Sequence, residues 1–388
     1  MFVQKKPDES SRRSLMRSLA LLSLLGLVMS AFRTVGDYSI ALSEFSVTRT
    51  ASVQPATESR SLELPYKPSP VEDYIIQHTS DLGWKVSPPQ LVTTCTIWKD
   101  SSATPYHKEL MTYAIEVREY YHRLRAFKLP PGITDLRKQK DVGGNDICTV
   151  VDMKLPTIFS TSGQLTQTRS GWVEPLLPPM RHPSLCLVDE QKLLYKDLVS
   201  IEYLIHDWAH MCRQLKPHSR TVFIDMGAAL RFHGKLPSPA LQLLEQYRQM
   251  GFVFDHIYGY EMRQELPDLV FKALPPQYLA AFHWINCGVN QALDHIHNPW
   301  NLLLDHYNED DFIVVKLDID TPAVEKDLAH QLFNNPRLLK LVDQFYFEHH
   351  VNQLELAGHW GPTTESVDDS FQFFSGLRQK GVAAHFWV

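Results

Sequence analysis

Four apolar runs in the second half of the chain end in carboxylates. Asp225 follows Val222-Phe223-Ile224, and Glu261 follows the run Phe252 to Tyr260. Asp318 and Asp320 follow Phe312 to Leu317, and Glu348 follows Phe345-Tyr346-Phe347. A carboxylate within hydrogen-bond reach of a substrate hydroxyl can act as a general base, and a pair of them can hold a divalent cation. Near-continuous apolar runs of this length predict strands buried on both faces, as in a parallel sheet. In open α/β sheets, ligands bind outside the carboxyl ends of the strands. The acids therefore stand where such a fold places its chemistry.

The elements that must position them alternate. The strands are expected at Val222 to Asp225, Phe252 to Tyr260, Phe282 to Val289, Phe312 to Ile319, Val342 to His350 and Val382 to Val388. Helices are expected between them: from Ser238-Pro239 to Gly251, Arg263 to Leu274, Trp300 to Tyr307, Ala323 to Phe333 and Ser366 to Gln379. Ser238 suits the N-cap, Pro239 the first turn, and Gly251 the residue past the helix end. Strand–helix alternation predicts an α/β, Rossmann-like, doubly wound and mostly parallel sheet over residues 196–388.

The first half carries different signals. Lys5, Lys6, Arg12, Arg13 and Arg17 precede a charge-free apolar run, Ser18 to Phe32. A positive flank before an apolar run predicts a cytoplasmic tail at 1–17 and a signal anchor or signal peptide at 18–32. The anchor reading places the protein as a single-pass endomembrane or Golgi protein. A cleaved signal would make it secreted, and Ser30-Ala31-Phe32 also resembles the junction of presequences that direct proteins into complex plastids. Residues 33–70, rich in Ser, Thr, Pro and Glu, are expected to be a stalk. Residues 71–195 form a loop-rich α subdomain with a helix from His107 to Phe127, and residues 132–185 read as an irregular cap or a substrate lid.

Composition narrows the function. The chain has 388 residues, a formal net charge of −6 and 21% charged residues, and no basic block beyond the N-terminus marks a nucleic-acid surface. The five cysteines have no paired CxxC spacing, so no zinc or other metal site is expected from them. Cys95 and Cys148 are candidates for a disulfide in a lumenal domain, and Cys212 and Cys287 read as core thiols. Asp197 to Leu215 reads as one periodic helix, with Leu198, Ile201, Ile205, Trp208, Cys212 and Leu215 on its buried stripe. His206 and His210 would then share a face, as a metal pair or as solvated residues.

Two segments resemble a known family. Ile224-Asp225-Met226-Gly227-Ala228 resembles the first motif of FkbM-type, S-adenosylmethionine-dependent methyltransferases, and Lys316-Leu317-Asp318-Ile319-Asp320 resembles their fourth-strand motif. Phe347-Glu348-His349-His350 is similar to the fifth strand of algal members. The resemblance implies S-adenosylmethionine as cofactor, and Asp225, Gly227, Glu261 and Asn286 as the residues that bind it. Glu261 would take the ribose hydroxyls, and Gly227 would let the backbone approach and offer amides to the cofactor carboxylate. Asp318 would face the methyl donor or orient the acceptor, and Asp320 or Glu348 would take the acceptor's proton. The acceptor implied is a sugar, glycolipid or other small hydroxylated molecule. Ala229 and Arg231 stand where the family pattern has Asn and a second Gly, which leaves a non-catalytic binding domain as one alternative. The other is a type II membrane glycosyltransferase using Asp318 and Asp320 as an Asp-x-Asp metal site.

Overall fold

A computed structural model describes residues 64–139, 146–159, 164–188, 198–229, 231–232 and 236–388. The tail, the anchor or signal segment and residues 33–63 of the stalk lie outside the described residues. No helix among the described residues is long and apolar enough to cross a membrane.

Six strands build one sheet: β1 (Thr221–Met226), β2 (His256–Tyr260), β3 (Phe282–Ile285), β4 (Phe312–Leu317), β5 (Val342–Phe347) and β6 (Ala383–Phe386). Their spatial order is β6-β5-β4-β1-β2-β3, and every neighbouring pair is parallel. That is the order of two βαβαβ halves meeting at β1 and β4, where the winding reverses and a crevice opens at the strand ends. The protein is thus an α/β protein with a Rossmann-like sheet. β1, β4 and β5 are buried along their whole length, as apolar runs covered on both faces must be.

The connecting helices follow local chemistry. Helix α4 (Pro239–Gln249) starts where the Ser238 hydroxyl accepts the Leu241 amide at 3.3 Å, and Gly251 beyond its end takes φ +84°. Between them on the first half lies α5 (Pro267–Ala273), and α6 (Pro299–His306) joins the halves. On the second half, α7 (Pro322–Asn334) runs into the short α8 (Pro336–Leu341), and α9 (Val367–Gln379) opens with a reciprocal Ser366–Asp369 capping box.

The N-terminal segment contributes α1 (Pro70–Gln77), α2 (His107–Ala126), α3 (Trp208–Gln214) and a hairpin of Thr166–Thr168 with Gly171–Val173. It belongs to the same compact unit as the sheet. It is riveted to β6 by buried charge. The Arg378 guanidinium donates to Glu72 Oε2 at 2.8 Å and to the Glu174 carbonyl at 2.9 Å. His385 on β6 lies 2.7 Å from Glu174 Oε1. The β6 edge is therefore covered, and all its residues are buried.

Several expectations are corrected. The stalk ends early: Lys67 pairs with Gln167 and Ser69 caps α1, so residues 64–70 are part of the fold. The helix expected to run unbroken from Asp197 to Leu215 is interrupted: α3 starts only at Trp208, because Asp207 caps it and His206 is drawn into a bridge with Val173. The apolar spacing of Ile201 and Ile205 reflects packing of an irregular segment on α2, whose Tyr121 hydroxyl donates to the Ile201 and Leu204 carbonyls at 2.6 and 2.8 Å. His206 and His210 consequently do not pair. His206 Nε2 lies 2.6 Å from the Tyr346 hydroxyl, and His210 Nε2 lies 3.1 Å from the Arg169 carbonyl. The disulfides join Cys95 to Cys186 and Cys148 to Cys212, not Cys95 to Cys148. Cys287 is the free thiol and is half-buried, outside the core.

Candidate functional site

The register of β1 against β4 sets the site. Asp225 and Lys316 are paired neighbours across the two strands, so the lysine ammonium meets the Asp225 carboxylate at 2.9 Å. The same ammonium lies 3.0 Å from Asp318 Oδ2 and donates to the Gly227 carbonyl at 2.8 Å. Lys316 is almost fully buried. Burial would discharge it, but Asp225 and Asp318 outweigh that and raise its pKa. Burial pushes the Asp225 carboxyl up, against the pull of Lys316. Burial also pushes Asp318 up, reinforced by the nearby charge of Glu348. Trp387, just past β6, donates its indole N–H to Asp318 Oδ2 at 3.1 Å.

Around this triad opens a cavity of about 430 Å³, within the usual range for a small-ligand site. Gly227, Glu261, Asp318 and Asp320 line it, with Met262, Cys287-Gly288, Lys316, Trp387 and the first turn of α4 at Ser238 to Ala240. Four of the seven residues singled out from the sequence therefore share one wall at the strand ends. Asp225 sits beneath them through Lys316. Asn286 and Glu348 do not line the cavity.

Gly227 is required at its place for a reason other than the one expected. Its φ is +91°, and a Cβ there would collide with the Asp318 carbonyl oxygen. It lets the tips of β1 and β4 touch. Its amide, and that of Ala228, donate to the Tyr260 carbonyl at 3.0 and 2.9 Å, so neither is offered to a ligand carboxylate. Glu261 is half-buried, and its Oε1 accepts the Arg263 amide at 2.6 Å.

Asn286 is a staple. Its amide donates to the Glu261 and Arg263 carbonyls at 2.9 and 2.7 Å, and its oxygen accepts the Glu265 amide at 3.0 Å. It fixes the loop that carries Glu261, and both ends of its side-chain amide are engaged there. Cys287, its neighbour, forms part of the wall, and burial raises its thiol pKa.

Asp318 and Asp320 diverge. β4 ends at Leu317, and Asp320 adopts a left-handed φ of +53°, so strand alternation no longer sets where its carboxylate points. Asp320 is exposed and lies near Glu348 and His350, with one donor atom of each within 4.8 Å of the others. Glu348 is buried. Arg181, from the N-terminal segment, pairs with its Oε1, Trp360 donates to the same oxygen at 2.9 Å, and His350 Nε2 lies 3.1 Å from Oε2. Burial alone would raise the Glu348 pKa, but Arg181 and then His350 outweigh it and hold the carboxyl well below the usual range. A carboxylate of such low basicity, outside the cavity lining, is poorly suited to the proton-accepting role expected of it.

Glu325, on α7, completes the acidic ring. Its Oε1 accepts the Ile319 amide at 2.7 Å, and burial pushes its pKa up to about 7. Neither Arg181, Trp360, Glu325 nor Trp387 was singled out from the sequence. Glu325 had a signal, since a buried acid interrupts the apolar face of a helix that starts just after Asp-x-Asp-Thr-Pro. Arg181 and Trp360 lie in segments without period, and nothing local points to them.

Comparison of the chain with protein-family models, with curated proteins and with solved structures finds no match. The fold and the cavity together define a Rossmann-like α/β protein with a cavity at the point where the strand order reverses.

Proposed function

We propose that the protein is an S-adenosylmethionine-dependent methyltransferase acting on an oxygen of a sugar, lipid or other small hydroxylated acceptor. The observation that carries the reading is the sign of the cavity. Glu261, Asp318 and Asp320 line it, and the lysine among its lining residues is already bound by Asp225 and Asp318. An acidic wall repels the pyrophosphate of a dinucleotide and favours a cofactor that carries a positive sulfonium. Glu261 stands at the tip of β2, where an acid accepts hydrogen bonds from ribose hydroxyls in folds of this order. The first turn of α4, at Ser238 to Ala240, lines the cavity, and the positive end of the helix dipole there favours the cofactor carboxylate.

Asp318 is the residue nearest the chemistry in this reading. Lys316 and Trp387 hold its Oδ2, so its orientation is set before any ligand arrives, and its raised pKa suits proton transfer near neutrality. The glycosyltransferase alternative finds less support. Its Asp-x-Asp pair would have to grip one metal together, whereas Asp318 is engaged by Lys316 and Asp320 turns toward His350. Two disulfides in the folded unit favour a lumenal or extracellular site of action.

Cys287 gives a direct test, because it is the free thiol and lies in the cavity wall. S-adenosylmethionine should slow alkylation of Cys287 in the full chain and raise the melting temperature. Unchanged alkylation and an unchanged melting temperature at millimolar cofactor would end the proposal.

A further inference from the structure

We infer that Asp320, Glu348 and His350 form a binding site for one first-row divalent cation of the manganese-to-zinc series. The site adjoins the cavity through Asp320 and does not depend on the cofactor reading.

The geometry carries the inference. Donors sharing an ion at bonds of about 2.1 Å lie about 3.0–3.5 Å apart. His350 Nε2 and Glu348 Oε2 are 3.1 Å apart, so an ion can replace the proton between them with little movement. Asp320 is exposed, and its carboxylate needs only a side-chain rotation to close a distance of at most 4.8 Å. Glu348 Oε1 is held by Arg181 and Trp360, which orients Oε2 toward the histidine.

The histidine itself is buried, with 6% of its surface exposed, and it stacks on Trp360 with 5.3 Å between ring centroids, so the ring is held in place before any ion arrives. The charge balance points the same way. Asp320, Glu325 and Glu348 gather at the end of β4 and β5, and the fixed cation paired with them is Arg181. One imidazole and two carboxylates suit manganese, iron, cobalt or zinc better than magnesium or calcium, which prefer oxygen alone. Water would complete the coordination on the cavity side.

The test is a titration of the chelator-treated full chain with Co²⁺ and Mn²⁺, read by visible absorption and by calorimetry, with no nucleoside present. One saturable equivalent is expected. Asp320→Asn should weaken it by more than about ten-fold, and His350→Gln should also abolish the visible ligand-field bands of the bound cobalt. Asp320 is exposed, so its variant keeps the test open if His350→Gln fails to fold. His256 and His283, 3.0 Å apart on the surface of the first half, form the obvious competitor, and His256→Gln should leave the titration unchanged. No saturable binding to the folded wild type up to about 1 mM metal, far above the affinities of built sites, overturns the inference. So does binding that survives Asp320→Asn, or binding lost in His256→Gln.

Discussion

The two halves of the sheet end their strands in the same way and use the ends differently. In the first half, β1 to β3, the strand tips are open. Glu261 is half-buried, Cys287 lines a cavity, and Met262, Leu266 and Leu269 are exposed around the loop that follows β2. In the second half, Asp318, Asp320 and Trp387 at the ends of β4 and β6 face the same cavity, but the tip of β5 is sealed. Glu348, His349, His350, Asn352 and Gln353 are all buried, and Arg181 and Trp360 cover the carboxylate. The N-terminal segment makes the difference, since it packs on the β6 side and brings Arg181, Glu72 and Glu174 with it. An acid at a strand tip becomes a ligand contact or a buried strut according to what the rest of the chain lays over it.

Breaking the sealed half should have the largest effect on stability. Arg378→Met leaves Glu72 and Glu174 buried without their cation, and removal of one partner from such a network costs about 3–5 kcal/mol. Chemical denaturation of the variant should show that loss. A change below about 1 kcal/mol, the size of an exposed pair, would mean that the network does not hold the segment to β6. Replacing Cys148 and Cys212 together by serine should cost about 2–4 kcal/mol, because it frees a long loop that anchors α3.

The open half should respond in binding instead. Glu261→Ala should weaken S-adenosylmethionine by about ten- to one-hundred-fold, equal to about 1–3 kcal/mol for lost hydrogen bonds. Its melting temperature should stay near wild type, since Glu261 is half-buried and its side chain serves one loop amide. A large fall in stability with unchanged affinity would reverse the roles assigned to the two halves.

The smallest effect is one of pH. His206 is kept neutral in the core, chiefly by burial and then by neighbouring His385, so its pKa lies well below the ordinary value. The unfolded chain takes up that proton below about pH 6.5 while the folded chain does not. Stability from this group is therefore complete above that pH and is lost progressively on acidification. His206→Gln should flatten the acid limb of melting temperature against pH, and an unchanged limb would assign it to other groups.

Much of the second half was legible in the sequence because its strands are buried on both faces. Uninterrupted runs such as Phe312 to Leu317 report that directly, and the caps at Ser238, Gly251 and Ser366 mark where helices start and stop. The convergence of Gly227, Glu261, Asp318 and Asp320 followed from strand ends sharing one rim. What stayed hidden depended on contacts distant in the chain. Arg181 meets Glu348 across 167 residues, and Cys148 meets Cys212 across 64. Periodicity also misled where an irregular segment imitated a helix, between Ser200 and Asp207. Asn286 was expected within a strand running to Val289, but β3 stops at Ile285, and the role of Asn286 depends on which backbone groups the neighbouring loop turns toward it.

The central claim is that an acidic cavity at the β1–β4 junction receives a cationic nucleoside cofactor. Calorimetric titration of the folded full chain with S-adenosylmethionine and, separately, with NAD tests it most directly. The account predicts saturable binding of S-adenosylmethionine with a Kd below about 1 mM, or more than about 4 kcal/mol, and none of NAD. Tighter binding of NAD, or no heat with S-adenosylmethionine, would contradict it.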